Sequence, residues 1–204
     1  MKPRIVRSIR RLFLLLAGVA PLAMTACDDG FEPLLWGNFP DTVELYSLAR
    51  GEYVDRPGAY DLLDRQGVPV VVEVDSRRRG PFQFDFAVTE DEAGTFLLLP
   101  TGVFQEATAR PGLIADSAAS FEGLSRAPRD GYITEEAIPA DTTVVYAVRS
   151  RRAPNGCLVY GKMEILGMTP DGIMTIRTLV NRNCGDRSLV PNAPEEDDED
   201  AGEG

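Results

Sequence analysis

Three cysteines are the most reactive side chains in this chain of 204 residues, which contains no histidine. Without an imidazole, the protein cannot build a Ser-His-Asp triad, a His-ligated zinc or non-haem iron site, or a His-ligated haem. Cys27 stands alone near the N-terminus, whereas Cys157 and Cys184 lie towards the C-terminus. No Cys-x-x-Cys spacing occurs, which argues against a redox-active dithiol. The thiols therefore indicate covalent modification at Cys27 and either a bridge or two buried thiols at the other pair.

Clusters of charge are the other candidates for chemistry. Arg77, Arg78 and Arg79 form the one basic cluster. This cluster could weakly bind an anionic sugar, a lipid headgroup or the chain's own acidic tail, but a polar loop between strands is favoured because the run is short. Residues 90–92 are consecutive acids, which is typical of a solvated turn. Because no Gly-x-Ser-x-Gly, Walker-type or Gly-x-Gly-x-x-Gly motif occurs, we predict no catalytic residues, no metal site and no cofactor.

The charge balance limits the partners. The chain has 32 acidic and 21 basic residues, a net charge of −11. So acidic a protein repels phosphate backbones, and we predict no binding of nucleic acid. Residues 195–200 are all acidic, so a disordered acidic tail is predicted over 192–204.

The first 26 residues have the layout of an export signal. A basic segment at 1–11 precedes an apolar run at 12–23. As a helix that run spans about 18 Å, less than the bilayer core of about 30 Å. The pattern therefore predicts a signal peptide over 1–26 and not a transmembrane helix. Arg10 and Arg11 leave the twin-arginine export route open beside the general secretory route.

Residues 22–27, LAMTAC, resemble the lipobox of bacterial lipoproteins, in which a small residue precedes a lipid-modified cysteine. Ala26 and Cys27 match that pattern, whereas Met24 departs from it, because leucine is usual there. The resemblance implies that Cys27 is acylated and becomes the first residue of the mature protein. Two or more acyl chains would anchor it stably at the extracytoplasmic face of a bacterial membrane. Asp28 resembles an inner-membrane retention signal, and both the inner and the outer membrane stay open.

Beyond the anchor, the sequence predicts a tether at 27–40 and a single β-rich domain at 41–191. Strand-like runs occur at 43–48, 70–74, 82–88, 95–99 and 142–149, and a polar turn at 90–94 joins two of them in a hairpin. Strand signals at short spacing predict an all-β, mainly antiparallel fold, a sandwich or a partly open barrel with at most one short helix.

Two segments of the domain carry more specific expectations. Strict alternation at 82–88 places three phenylalanines and Val88 on one face of a strand, and Gln83 and Asp85 on the other. The stretch 105–140 is ambiguous, and within it residues 116–124 could form a short helix capped by Asp116.

The best-specified element is a hairpin formed by residues 157–168 and 173–184. The intervening Thr-Pro-Asp-Gly suits a type I turn, and a four-residue loop pairs Met168 with Ile173 and Glu164 with Arg177. This register sorts the side chains into two faces better than a slip of one residue does. The apolar face contains Val159, Met163, Ile165, Met174, Ile176 and Val180, and the polar face contains Tyr160, Lys162, Glu164, Arg177 and Asn181.

The same register sets Cys157 opposite Cys184. The register is derived from the turn residues and from the separation of apolar and polar side chains, without reference to the cysteines. Since a lipoprotein faces an oxidising compartment in many bacteria, we predict a Cys157–Cys184 disulfide and not two reduced thiols. On the chain-entropy model, one of two accounts of how disulfides stabilise proteins, the bridge contributes about 3.6 kcal/mol to the free energy of unfolding.

Strands in this C-terminal region resemble the later strands of haem-carrier surface lipoproteins of the HmuY type. The resemblance is carried by residues 144–151, 159–166 and 173–180. Those carriers bind haem through histidines, which this chain lacks, so the ligand does not carry over. Ligation by Met163 or Met174 would require side chains that the register places in the core.

Two functions remain after these exclusions. The first is a membrane-anchored extracytoplasmic lipoprotein whose β-domain binds a small-molecule ligand or protein partner and is not an enzyme. The alternative is a carboxylate-based hydrolase of cell-envelope glycans, which needs only two convergent acids. The lack of catalytic motifs favours the first.

Overall fold

The computed structural model describes residues 38–63, 68–72, 82–104 and 111–191. Their ten strands form two separate five-stranded antiparallel sheets, with strand orders β1-β10-β9-β8-β6 and β3-β2-β4-β5-β7. The strands are β1 (Pro40–Tyr46), β2 (Pro57–Asp61), β3 (Val68–Val71), β4 (Phe86–Glu90), β5 (Phe96–Pro100), β6 (Gly112–Asp116), β7 (Ile138–Pro139), β8 (Val145–Arg149), β9 (Tyr160–Met168) and β10 (Ile173–Asn181). The all-β, antiparallel prediction is confirmed, in its sandwich form.

The main core lies between the two sheets, because each sheet turns alternate side chains towards the other. Leu45, Met163 and Ile176 come from the first sheet, and Tyr60 and Leu98 from the second. All five are at most 1% exposed. The predicted apolar face of the C-terminal hairpin is this core face.

The C-terminal hairpin keeps the predicted register over most of its length. Ile165 lies opposite Ile176, and Glu164 lies opposite Arg177. Next to the turn the prediction is wrong by one residue, because Gly172 adopts φ 83° and closes a three-residue loop. A β-bulge then shifts the register, because β9 has one extra residue between the residues that pair with Thr175 and with Ile176. From Ile176 onward the pairing is the predicted one.

The alternation predicted for 82–88 holds for only part of that run. β4 begins at Phe86, and Phe86 and Val88 lie in the main core. Phe84 instead packs with Ala59 and Ala87 on the opposite face of the second sheet. The expectation that Phe84 shares the face of Phe86 is therefore wrong, because the backbone before Phe86 bends out of the strand.

The predicted helix at 116–124 does not form. Asp116 ends β6, and its carboxylate accepts hydrogen bonds from the N–H groups of Ala118 and Ala119. Only one helical turn follows, closed by the N–H of Leu124 on the carbonyl of Ser120 at 2.9 Å. A cap without an amphipathic run behind it makes a turn and not a helix.

We call residues 117–127 the strap, because they cross the outer face of the first sheet. Phe121, Leu124 and Ala127 of the strap form a second apolar cluster with Tyr160 and Leu179. The face of the hairpin predicted to be polar and wet is thereby largely covered. Lys162 is 2% exposed and Asn181 is fully buried there.

Candidate functional site

Several residues singled out by the sequence fall outside the described part of the chain. These are Cys27, with the signal peptide and most of the tether, the cluster of Arg77, Arg78 and Arg79, and the acidic tail from 192 onward. In the parts that are described, no helix is long and apolar enough to cross a membrane. Lipidation at Cys27 and anion binding at the arginines remain predictions.

The predicted disulfide is confirmed. Cys157 and Cys184 are bridged, with their Cα atoms 5.3 Å apart. The bridge lies at the open end of the hairpin, just before β9 and just after β10. Because strands β8, β9 and β10 are hydrogen-bonded neighbours, it ties the β8–β9 connection to the end of the sheet.

The two half-cystines have different surroundings. Cys157 is 7% exposed and belongs to the main core, whereas Cys184 is exposed. The N–H of Cys157 donates to the side-chain oxygen of Asn155 at 3.0 Å, and the N–H of Gly185 donates to the carbonyl of Leu158 at 2.9 Å. These two hydrogen bonds, one to a side chain and one within the backbone, do not involve the sulfur atoms.

An ion cluster joins the two sheets at the same end of the sandwich. Arg151, two residues beyond β8, donates from Nη1 and Nη2 to both carboxylate oxygens of Asp61, each at 2.8 Å. Asp61 is the last residue of β2. Nη1 of Arg151 also lies 3.3 Å from Oδ1 of Asp85, immediately before β4. One guanidinium of the first sheet thus holds two carboxylates of the second.

Asp85 is the most enclosed member of the cluster, since its side chain has no solvent exposure. Its carboxylate accepts the backbone N–H of Arg151 at 2.6 Å and that of Leu62 at 2.7 Å. Burial raises the pKa of Asp85 to about 7, against the opposing effects of Arg151 and the two N–H donors. The sequence pattern places Asp85 with Gln83 on the strand face opposite the phenylalanines, whereas the structure buries Asp85 in this cluster at the bend before β4.

A second buried charge fixes the strap. The ammonium group of Lys162 donates to the carbonyl oxygens of Phe121 and Leu124, at 2.5 and 3.0 Å. It also lies 4.7 Å from the ring centre of Phe121. Burial lowers the pKa of Lys162 from its ordinary value. Lysine suits this position because its ammonium group has three N–H donors and can hydrogen-bond to both strap carbonyls.

The predicted pair of Glu164 and Arg177 is confirmed, at 3.1 Å. Arg177 also contacts Glu122 of the strap at 2.9 Å and lies over the ring of Phe121. Each of these side chains is at least a quarter exposed, so the pairs contribute little to stability. Their role is to orient the strap over the sheet.

Two of the three acids at 90–92, Glu90 and Asp91, have structural contacts in this fold. Glu90 accepts from Nε of Arg50 at 2.7 Å, and Nη2 of Arg50 reaches the carbonyl of Pro170 in the hairpin turn at 2.8 Å. Asp91 caps its own turn by accepting the N–H groups of Ala93 and Thr95. The end of the sandwich opposite the disulfide is therefore also joined by an arginine–carboxylate pair.

One small cavity lies between the sheets. Tyr60, Phe86, Val148, Met163 and Thr178 are among the residues around a cavity of about 10 Å³, the space of roughly one water molecule. Both methionines named as conceivable haem ligands, Met163 and Met174, are fully buried. In the described ranges no three His, Cys, Asp or Glu side chains are grouped to hold a metal ion.

Sequence reasoning missed the ion cluster and the buried lysine. A signal existed in each case: Asp85 stands between two phenylalanines, and Lys162 stands in an otherwise largely apolar strand. A single charge inside an apolar run must be paired or neutralised if the run is buried. What the sequence could not show was the partner, because Arg151 is 66 positions from Asp85 and 90 from Asp61.

Comparison of the chain with family models, curated proteins and solved structures found no match.

Proposed function

We propose that this chain is a lipid-anchored protein of the extracytoplasmic face of a bacterial membrane, whose β-sandwich binds a ligand or protein partner without catalysis. The observation that carries the proposal is the Cys157–Cys184 disulfide. Such bridges persist in oxidising compartments outside the cytosol. The lipobox resemblance around Cys27 supplies the means of anchoring, through an acyl group on that cysteine.

The state of the buried carboxylates supports binding over catalysis. Asp61 and Asp85 are close together, as a glycosidase pair would be, but both accept hydrogen bonds from Arg151. The side chain of Asp85 is inaccessible, and a general acid or base must reach its substrate. This pair therefore acts as an ionic link between the sheets.

The binding surface in this proposal lies on the outside of the sandwich. The cavity of about 10 Å³ holds nothing larger than a water molecule. A ligand or partner would then contact the loops and sheet surfaces. Weak anion binding by Arg77, Arg78 and Arg79 stays a separate prediction from the sequence, in which a polar loop is favoured.

An activity panel separates this function from the hydrolase alternative. The purified chain is incubated with ester, glycoside, peptidoglycan and peptide substrates, beside an Asp85→Asn variant. We expect no turnover by either protein. Hydrolysis by the natural sequence that Asp85→Asn abolishes would support a carboxylate-based hydrolase, and hydrolysis retained by the variant would place an active site elsewhere; both results contradict the proposal.

Membrane fractionation tests the anchor. The natural chain is expected in the membrane fraction, and Cys27→Ser is expected in the soluble fraction because it cannot be acylated. A soluble natural chain, or a membrane-bound Cys27→Ser variant, would contradict lipid anchoring.

A further inference from the structure

The two residues joined by the disulfide differ in exposure. Cys184 is exposed after the end of β10, whereas Cys157 is 7% exposed and packs with the main core. A thiolate opens a disulfide by attacking one sulfur in line with the bond, so access decides which sulfur is attacked. In this bridge, the exposed residue is Cys184 and the buried one is Cys157.

The surface beside the bridge is open to an incoming group. Gly185 follows Cys184 and Gly156 precedes Cys157, and a Cβ placed on either glycine would meet no atom within 4 Å. Both glycines have positive φ, 72° at Gly185 and 86° at Gly156, a conformation that allows a tight turn. No side chain therefore stands on these two positions to shield the exposed end of the bridge.

From this asymmetry we infer that Cys184 is a thiol-exchange site, the sulfur through which the bridge reacts with external thiolates. The proposal concerns chemistry of the folded domain and stands whether or not Cys27 is lipidated. It assigns a reactive role to a residue that the fold otherwise uses as a cross-link.

The exchange is balanced at two sulfurs. A thiolate attacks Sγ of Cys184, a mixed disulfide forms there, and the Cys157–Cys184 bond breaks with its electron pair on Sγ of Cys157. That thiolate takes a proton from water, because an apolar environment disfavours its charge. Sγ of Cys157 lies 3.6 Å from the carbonyl oxygen of Leu158, which can then accept the new S–H. The attacking thiol is the reductant, and Cys157 is reduced.

Exchange need not unfold the hairpin. Strands β9 and β10 pair from Tyr160 with Asn181 to Met168 with Met174. Beyond these strands, the hydrogen bond from the N–H of Gly185 to the carbonyl of Leu158 does not involve the disulfide. A mixed disulfide at Cys184 would therefore sit on a folded domain, with Cys157 waiting beneath it to displace the adduct and reform the bridge.

Trapping the adduct tests the inference on the natural chain. The folded protein is treated with excess reduced glutathione, quenched with acid, and mapped by mass spectrometry without reduction. We expect glutathione on Cys184 and a free thiol at Cys157. Glutathione on Cys157, an equal division between the two, or no adduct at all would overturn the assignment.

Two matched variants measure the access of each sulfur separately. In a Cys27→Ser background, Cys157→Ser leaves a single thiol at 184, Cys184→Ser leaves a single thiol at 157, and both lose the same bridge. A maleimide should label Cys157→Ser about tenfold faster or more, since buried thiols are poorly reactive. Equal rates in variants that circular dichroism shows to be folded would overturn the inference. If Cys184→Ser fails to fold, the glutathione map of the natural chain decides.

Discussion

Lys162 balances a buried charge against two backbone carbonyls. Lys162→Met keeps the apolar length of the side chain but leaves the carbonyls of Phe121 and Leu124 without their donor. We expect the free energy of unfolding, measured in urea, to fall by about 1–3 kcal/mol. The control is Arg129→Met, an exposed cation beyond the strap, which should change stability by no more than about 0.5 kcal/mol. A Lys162→Met variant as stable as its control would show that the lysine does not fix the strap.

Asp85 should make stability depend on pH in an unusual direction. Its pKa rises on folding from 3.8 to about 7, so between these values the native protein binds more protons than the unfolded chain. The stability that this group contributes is therefore present at low pH and is lost as pH rises, by about 1.4 kcal/mol per pH unit at most. Asp61 and Arg151 are the charged groups that face it among the described residues.

The comparison with Asp85→Asn isolates that effect, because other carboxylates titrate equally in both proteins. The variant should be less stable throughout, since an amide N–H₂ meets the N–H donors of Leu62 or Arg151. Its deficit relative to the natural chain should shrink between pH 4 and pH 7. A deficit that is constant or grows over this range would contradict the raised pKa.

At the scale of elements, the β9–β10 turn is where local geometry is most demanding. Gly172 has φ 83°, and a Cβ on it would lie 2.9 Å from Oε2 of Glu90. That oxygen is held by Arg50 and cannot easily move. Gly156 has a similar φ of 86° but open space around it. In thermal unfolding, we expect Gly172→Ala to lower the stability of the domain more than Gly156→Ala does. Gly156→Ala should cost only the strain of a left-handed backbone at alanine, about 1–2 kcal/mol. Equal losses would mean that the Glu90–Arg50 contact exerts no constraint on the turn.

The same hairpin shows what a sequence can and cannot specify. Its register and disulfide follow from alternation and turn residues, which are local signals of strand pairing. The one-residue error arose because two loop lengths suit the same Pro-Asp-Gly sequence, and a bulge absorbs the difference. The strap was not predicted, because its shape depends on distant partners such as Lys162 and Arg177 and on no periodic pattern.

In the whole molecule, both ends of the sandwich are joined by arginine. Arg151 holds Asp61 and Asp85 at the disulfide end, and Arg50 holds Glu90 at the turn end. The main core between them is apolar. The proposal that the protein binds a partner with its outer surface is therefore tested at the anchor and not in the core.

Lipid labelling tests this account most directly. Cells that express the chain are fed a radiolabelled fatty acid, and the protein is compared with Cys27→Ser and with Cys184→Ser as the control for loss of any cysteine. We expect label on the natural chain and on Cys184→Ser, and none on Cys27→Ser, because only Cys27 follows the lipobox. A natural chain without label, or a Cys27→Ser variant that keeps it, would contradict the lipoprotein account.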